Sequence, residues 1–173
     1  MDLVLATRRD IAESGVENMT VDDLAAADLP ALEWAGNARH LQGVAEVLDR
    51  AGGSGTAEYL AVRTSGGAAV AIGAVNYAES PGVGVLFQLS THPELRSLGL
   101  GTRLVREAEA RIRLRGLGLA RLGVEDDNPS ARALYERLGY EPVGRRQVGW
   151  ESQGADGELF WYQTEITELD KQL

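Results

Sequence analysis

At 173 residues the chain fits one ordinary domain and is long enough to bury a full core. The absence of cysteine excludes disulfides, thiolate-held metal sites and a cysteine nucleophile, and a net charge of −9 argues against a nucleic-acid backbone or an acidic membrane as the main partner. The opening MDLVLATRRD has too short an apolar run and the wrong charge order for a signal peptide, and no segment approaches the length of a membrane span. The expectation is a soluble, cytoplasmic, single domain over 1–173, with 1–16 as an N-terminal extension.

In chain order, residues 1–15 carry a weak helical pattern through Leu3, Ala6 and Ile11. VENMTVDDL predicts a brief strand with Met19 and Val21 on one side. The next stretch, AAADLPALEWAGNARHLQGVAEVLDRAG, is helical in composition, with Pro30 near a helix start, Gly36 as a break and GGSG at 52–55 as a loop. Three strands follow, AEYLAVRT, AAVAIGAVNYA and GVGVLFQLST, joined by SGG at 65–67 and by ESPG, which is the pattern of antiparallel hairpins.

From Gly101 to Arg115 the period becomes helical, with Leu104, Val105, Ala108 and Ile112 on one face. GLGLARLGVE then predicts a turn and a short buried strand. DNPSARALYERLGY predicts a self-contained helix, with Asn128 as N-cap, Pro129 in the first turn and Gly139 after the last. EPVGRRQVGW and GELFWYQTEI predict two final strands around a loop at 154–157. The order implies an α/β or α+β domain with a largely continuous central sheet.

The segment ELRSLGLGTRLVREAEARIR places Gly99 and Gly101 where a strand and loop hand over to a helix. The first amides of a helix have no intrahelical partner, and the dipole adds positive potential there, so this is a place for phosphate. A Walker loop would need Gly-Lys-Ser/Thr, but the sequence reads Gly101-Thr102-Arg103. A dinucleotide fingerprint would need a third glycine where Leu104 stands, after a βαβ unit rather than hairpins. The pyrophosphate loop of an acyl-coenzyme A site, [RQ]-x-x-G-x-[GA], fits Arg96-Ser97-Leu98-Gly99-Leu100-Gly101.

With that loop the chain resembles the GNAT superfamily of N-acetyltransferases. Leu89-Ser90-Thr91-His92-Pro93-Glu94-Leu95-Arg96 reproduces the approach to the loop, with Thr91 in place of the usual valine. A second family element, N-x-x-A-x-x-L-Y-x-x-x-G-[FY], is matched by Asn128, Ala131, Leu134, Tyr135, Gly139 and Tyr140. The resemblance spans about residues 17–167 and is least secure before Glu58. It implies a mixed, mostly antiparallel, twisted sheet of about seven strands flanked by helices and split between strands four and five.

The resemblance also implies roles. Acetyl-CoA, as co-substrate, would lie in the split, with backbone groups of Leu89 and Thr91 pairing with its pantetheine arm. Amides from Arg96 through Ser97, Leu98, Gly99, Leu100 and Gly101 to Thr102 would hold the pyrophosphate, and Asn128 would add a contact to its helix cap. Tyr135 would be the general acid; its alternative is a core aromatic beside Leu134 and Leu138. For the general base, Glu33, Glu79, Glu125, Asp126 and Asp127 are candidates. Glu125 ends the strand that splays from that of Leu89, although a run such as Glu125-Asp126-Asp127 is usually solvated. Gly123 stands where ribosomal-protein N-terminal acetyltransferases carry a glutamate, which argues against that branch. His40 and His92 lack partners at ligand spacing, so no metal is expected. Trp34, Trp150, Trp161 and Tyr162 either line the acceptor pocket or fill the core, with core the better reading for each.

The function these readings imply is acetyl transfer from acetyl-CoA to a primary amine of a small cationic molecule, by direct attack in a ternary complex. The alternatives are a peptide or protein amine as acceptor, and a non-catalytic acyl-CoA sensor; the presence of Tyr135 favours the enzyme. The apolar stretch from Leu159 to Tyr162 could serve a homodimer contact.

Overall fold

The structure, a computed structural model, describes Ile11 and residues 15–173. The rest of the N-terminal segment, and with it most of the expected first helix, lies outside the described residues. Seven strands form one sheet in the order β1-β2-β3-β4-β5-β7-β6. They are β1 (Thr20–Asp23), β2 (Ala57–Arg63), β3 (Ala69–Asn76), β4 (Val83–Thr91), β5 (Leu119–Glu125), β6 (Glu141–Gln153) and β7 (Leu159–Gln172). Among the described residues, α1 (Ala38–Ser54), α2 (Leu100–Leu114) and α3 (Pro129–Arg137) cover its faces. All neighbours pair antiparallel except β4 and β5, which run parallel because α2 carries the chain across between them.

Two boundaries differ from the sequence reading. The residues before α1 form two short 3-10 turns, Ala26–Ala31 and Glu33–Ala35, rather than a helix. Pro30 and Gly36 interrupt any longer helical run there, and α1 starts only where Asn37 accepts from the His40 amide at 2.9 Å. At its far end α1 continues through Gly52 and Gly53, expected as loop, to Ser54; Gly55, at φ 64°, ends it. β6 and β7 also run past their expected ends, because each finds a full-length partner in the other.

The sheet separates two cores. On one face Leu86, Leu104, Ile112, Leu122, Tyr135 and Leu169 pack between the sheet and α2 and α3; on the other Val44 and Val47 of α1 pack on Tyr59, Ala61 and Ile72. Glu109 of α2 is buried in the first core and is held by the Lys171 ammonium at 2.8 and 3.0 Å. Arg63 fastens the β1 edge, donating to Asp22 at 2.6 Å and to both oxygens of Asp28 at 2.8 Å, which holds the Asp28 carboxyl below the usual range. No helix among the described residues is long and apolar enough to cross a membrane.

Candidate active site

β4 and β5 pair only from Val83↔Leu119 to Leu86↔Leu122 and then part, so the last five residues of β4 and the last three of β5 border a gap. The register with β3 jumps at the same place: Ile72 faces Ser90 while Ala74 faces Phe87, leaving Gln88 and Leu89 opposite Gly73 alone. Gln88 takes φ 52° in this bulge, and Leu89 fills the space a Cβ on Gly73 would need. The bulge turns Gln88 toward Tyr59, whose hydroxyl donates to it at 3.1 Å, and Leu89 toward the opposite core. Because the His92 amide bonds to the Val70 carbonyl, alternation directs the backbone groups of Thr91 and Leu89 away from β3 and into the gap.

The loop after β4 delivers the chain to α2 with its amides bare. Gly99, the residue before the helix, sits at φ 78° with nothing within 4 Å of where a Cβ would stand, and no side chain caps the helix. Gly101 is bare for a different reason: a Cβ there would lie 3.1 Å from Leu134 of α3, so the glycine lets the two helices approach. A cleft of about 560 Å³ opens here. It gathers Leu89, Thr91, Arg96, Ser97, Gly99, Leu100, Gly101, Thr102, Asn128 and Tyr135, all named from the sequence. Leu98 is the exception: it points out of the loop, 41% exposed, and does not line the cleft.

Sequence reading missed Ser130 and Arg137, which join the lining from α3. Their signal was helical spacing, since both share the face of Ala131 and Leu134. Neither Arg96 nor Arg137 forms an ion pair among the described residues, so two free guanidinium groups flank the bare amides in a chain of charge −9. These groups fit a polyphosphate-bearing ligand. Asn128 does act as N-cap, accepting from the Ala131 amide at 3.1 Å.

Tyr135 combines its two expected surroundings. Its ring is buried in the core and meets Tyr140 edge-on at 6.2 Å, while the residue lines the cleft. Its hydroxyl has no hydrogen-bond partner among the described residues, and burial pushes its pKa up to about 12. The phenol therefore keeps its proton at neutral pH and is free to donate it.

The carboxylates separate by face. Ala120, Leu122 and Val124 of β5 point into the α2 core, so Glu125 points to the α1 side, where the Tyr162 hydroxyl donates to it at 2.9 Å. Asp126 is engaged by Arg145 and by the Thr167 hydroxyl, and Glu79 accepts from Arg146 at 3.4 Å. Glu33 and Asp127 are exposed. Glu125 is not in the lining of the phosphate cleft; it borders the gap from the opposite face of the sheet.

The aromatic residues divide as well. Trp34 packs on the α1 core and against His92, with ring centroids 5.3 Å apart, whereas Trp150 and Trp161 are 44% and 64% exposed and not core at all. His92 is buried and accepts from the Glu94 amide, a structural place, and His40 lies in the first turn of α1.

Comparison with known proteins follows the same outline. Residues 28–140 match the acetyltransferase (GNAT) family. Among solved structures, the chain is similar to the ribosomal-protein-S18-alanine N-acetyltransferase of Escherichia coli, with 21% identity, 89% of this chain and 93% of that one covered, and a TM-score of 0.67. A Klebsiella pneumoniae protein described as an acyl-CoA N-acyltransferase shares 26% identity over 90% of this chain and 97% of its own, at TM-score 0.63. The spermidine N-acetyltransferase of Vibrio cholerae, in complex with CoA and spermine, aligns at 14% identity over 90% and 96%, at TM-score 0.69. With its seven-stranded sheet and single parallel β4–β5 pair, the chain belongs to the GNAT family of acetyl-CoA-dependent N-acetyltransferases.

Proposed function

We propose that this enzyme acetylates a primary amine of a small cationic molecule by direct attack in a ternary complex. The observation that carries the reading is that Tyr135, whose hydroxyl has no hydrogen-bond partner among the described residues, lines the same cleft as the bare amides of α2. Acetyl-CoA, when bound, supplies an activated acetyl thioester. The amides from Arg96 to Thr102, with the guanidinium groups of Arg96 and Arg137, hold its phosphates. The gap-facing backbone of Leu89 and Thr91 pairs with the pantetheine arm as a strand would, and an amide of this segment aimed at the thioester oxygen stabilises charge developing there. Glu125, on the other face of the gap, accepts the proton an ammonium must lose before its nitrogen can attack, and Tyr135 donates the proton the departing sulfur takes up. No residue of the chain need become acylated, which suits a protein without cysteine.

The fold serves polyamine and ribosomal-protein acetyltransferases alike and does not choose the acceptor. Charge favours a small cation: the chain carries −9, and Glu79, Glu125 and Glu168 stand on the acceptor side against Arg146. The test is thiol release from acetyl-CoA across aminoglycosides, polyamines, amino acids and short peptides. With no cysteine in the enzyme, a thiol reagent reports CoA alone. Release with small cationic amines is the expected result; release only with peptides would overturn the acceptor class.

Gly101→Leu should weaken acetyl-CoA binding by about tenfold or more, since 1.4 kcal/mol suffices for that factor and the new side chain has Leu134 at 3.1 Å from its Cβ. Calorimetric titration reads the affinity, and a thermal melt beside it reads the loosening of the α2–α3 contact that the same side chain should cause. An unaltered Kd would remove the loop assignment.

A further inference from the structure

The β6–β7 hairpin does more than close the sheet. It is much longer than β5, and its far end curls over the α1 face: the Asn37 side chain donates to the Gln153 carbonyl at 3.0 Å, and Arg39 donates to Glu151 at 2.9 Å. The face of the hairpin that looks toward the β4–β5 gap is marked by Tyr162, which reaches Glu125 at the end of β5. Two of them, Trp150 and Tyr162, stand directly opposite one another in the register, with ring centroids 4.9 Å apart and planes at 49°. The Tyr162 hydroxyl is committed to Glu125.

A cross-strand aromatic pair that served only the hairpin would gain most by being covered. Here Trp150 stays 44% exposed, although two π faces and a carboxylate converge beside it. Arg146, on the same strand face, is held by Glu168 at 2.8 Å and by Glu79 at 3.4 Å, and Arg39 is held by Glu151 at 2.9 Å, so neither guanidinium is free for the rings. Ring faces attract cations through their quadrupole, more strongly where water is excluded.

We propose that Trp150 and Tyr162 form an aromatic box that holds a second, non-reacting cationic group of the acceptor while Glu125 faces the reacting amine. The inference rests on the amine-acetylation reading above and narrows it: the preferred acceptor carries two cationic centres. The box selects substrates; it takes no part in the proton transfers.

The test is calorimetric binding of α,ω-diamines, three to eight carbons long, to the CoA-saturated protein, compared with monoamines of matched length. The expected result is a diamine Kd at least about tenfold below that of its monoamine, equivalent to 1.4 kcal/mol. Trp150→Ala should erase that ratio and Trp150→Phe should retain it. Trp161→Ala, on the opposite face of the same hairpin, should also retain it, which separates the box from hairpin stability. Equal binding of diamines and monoamines by the unaltered protein, absence of binding by both, or a ratio surviving Trp150→Ala would overturn the proposal. Thiol release, measured in parallel, keeps the two readings apart. Diamine preference in binding with no thiol released leaves the box standing and sinks the transfer reading. Thiol release with equal KM for both amine classes does the reverse.

Discussion

Tyr135→Phe is expected to lower kcat by about two to four orders of magnitude, the usual contribution of a positioned general acid. The change removes one oxygen atom from a ring that is otherwise buried, so the core and the Tyr140 contact survive. Acetyl-CoA affinity should stay within about twofold, because the proposed contacts to the phosphates and the arm lie elsewhere and twofold is only a few tenths of a kcal/mol. Stopped-flow thiol release and calorimetric binding read the two quantities separately. The pH profile adds an independent check. Burial holds the Tyr135 hydroxyl at about 12, so the acid stays protonated, and kcat should show no alkaline fall at the ordinary tyrosine pKa near 10. Full activity in the variant would remove Tyr135 from its role, whereas a fall centred near 10 in the unaltered enzyme would show that burial does not raise the pKa of the acid.

Lys171→Met is expected to cost about 3–5 kcal/mol of stability, because it strands the Glu109 carboxylate inside the core. Glu109 is 4% exposed at its side chain and has Lys171 at 2.8 Å, with the more distant Arg113 at 3.9 Å and half-exposed. Lys171 itself is 22% exposed, so water reaches the ammonium and the cost should fall toward the lower end of that range. The double variant Glu109→Leu, Lys171→Met should recover most of the loss, since two apolar groups of similar volume replace a desolvated pair. Urea titration of the three variants measures both effects. If the single and double variants prove equally stable, the ion pair is not what holds β7 to α2. The consequence for the site is direct, because α2 also presents the bare amides and β7 carries Tyr162.

What could be read along the chain was local chemistry. Gly99 at the mouth of a helix, Asn128-Pro129 at the start of another and Ser65-Gly66-Gly67 between two β-rich runs each act through φ preference or capping within a few residues. The hairpins and the helix that carries Tyr135 followed from them, whereas the cleft lining came from the family resemblance. The N-terminal third was read less well, because Pro30 and Gly36 interrupt a composition that otherwise favours helix.

The sequence by itself determined a glycine-marked helix start with bare amides and a capped helix carrying Tyr135, since both depend on the order of a few neighbouring residues; the acid role of Tyr135 came from the family resemblance. Only the tertiary structure decided the acceptor side. The bulge at Gln88 arises from two strands pairing out of step over Gly73, and glutamine has no preference for positive φ that would announce it. Glu125 was singled out from an acidic run because it ends the splaying strand; the structure adds its bond to Tyr162, while Asp126 turns to Thr167. Tyr162 reaches it, with Trp150 against the Tyr162 ring, because a long hairpin, paired with itself over its whole length, curls back toward the start of α1. Those contacts join residues far apart in the chain, and the energy that selects them comes from pairing and burial that no local pattern encodes.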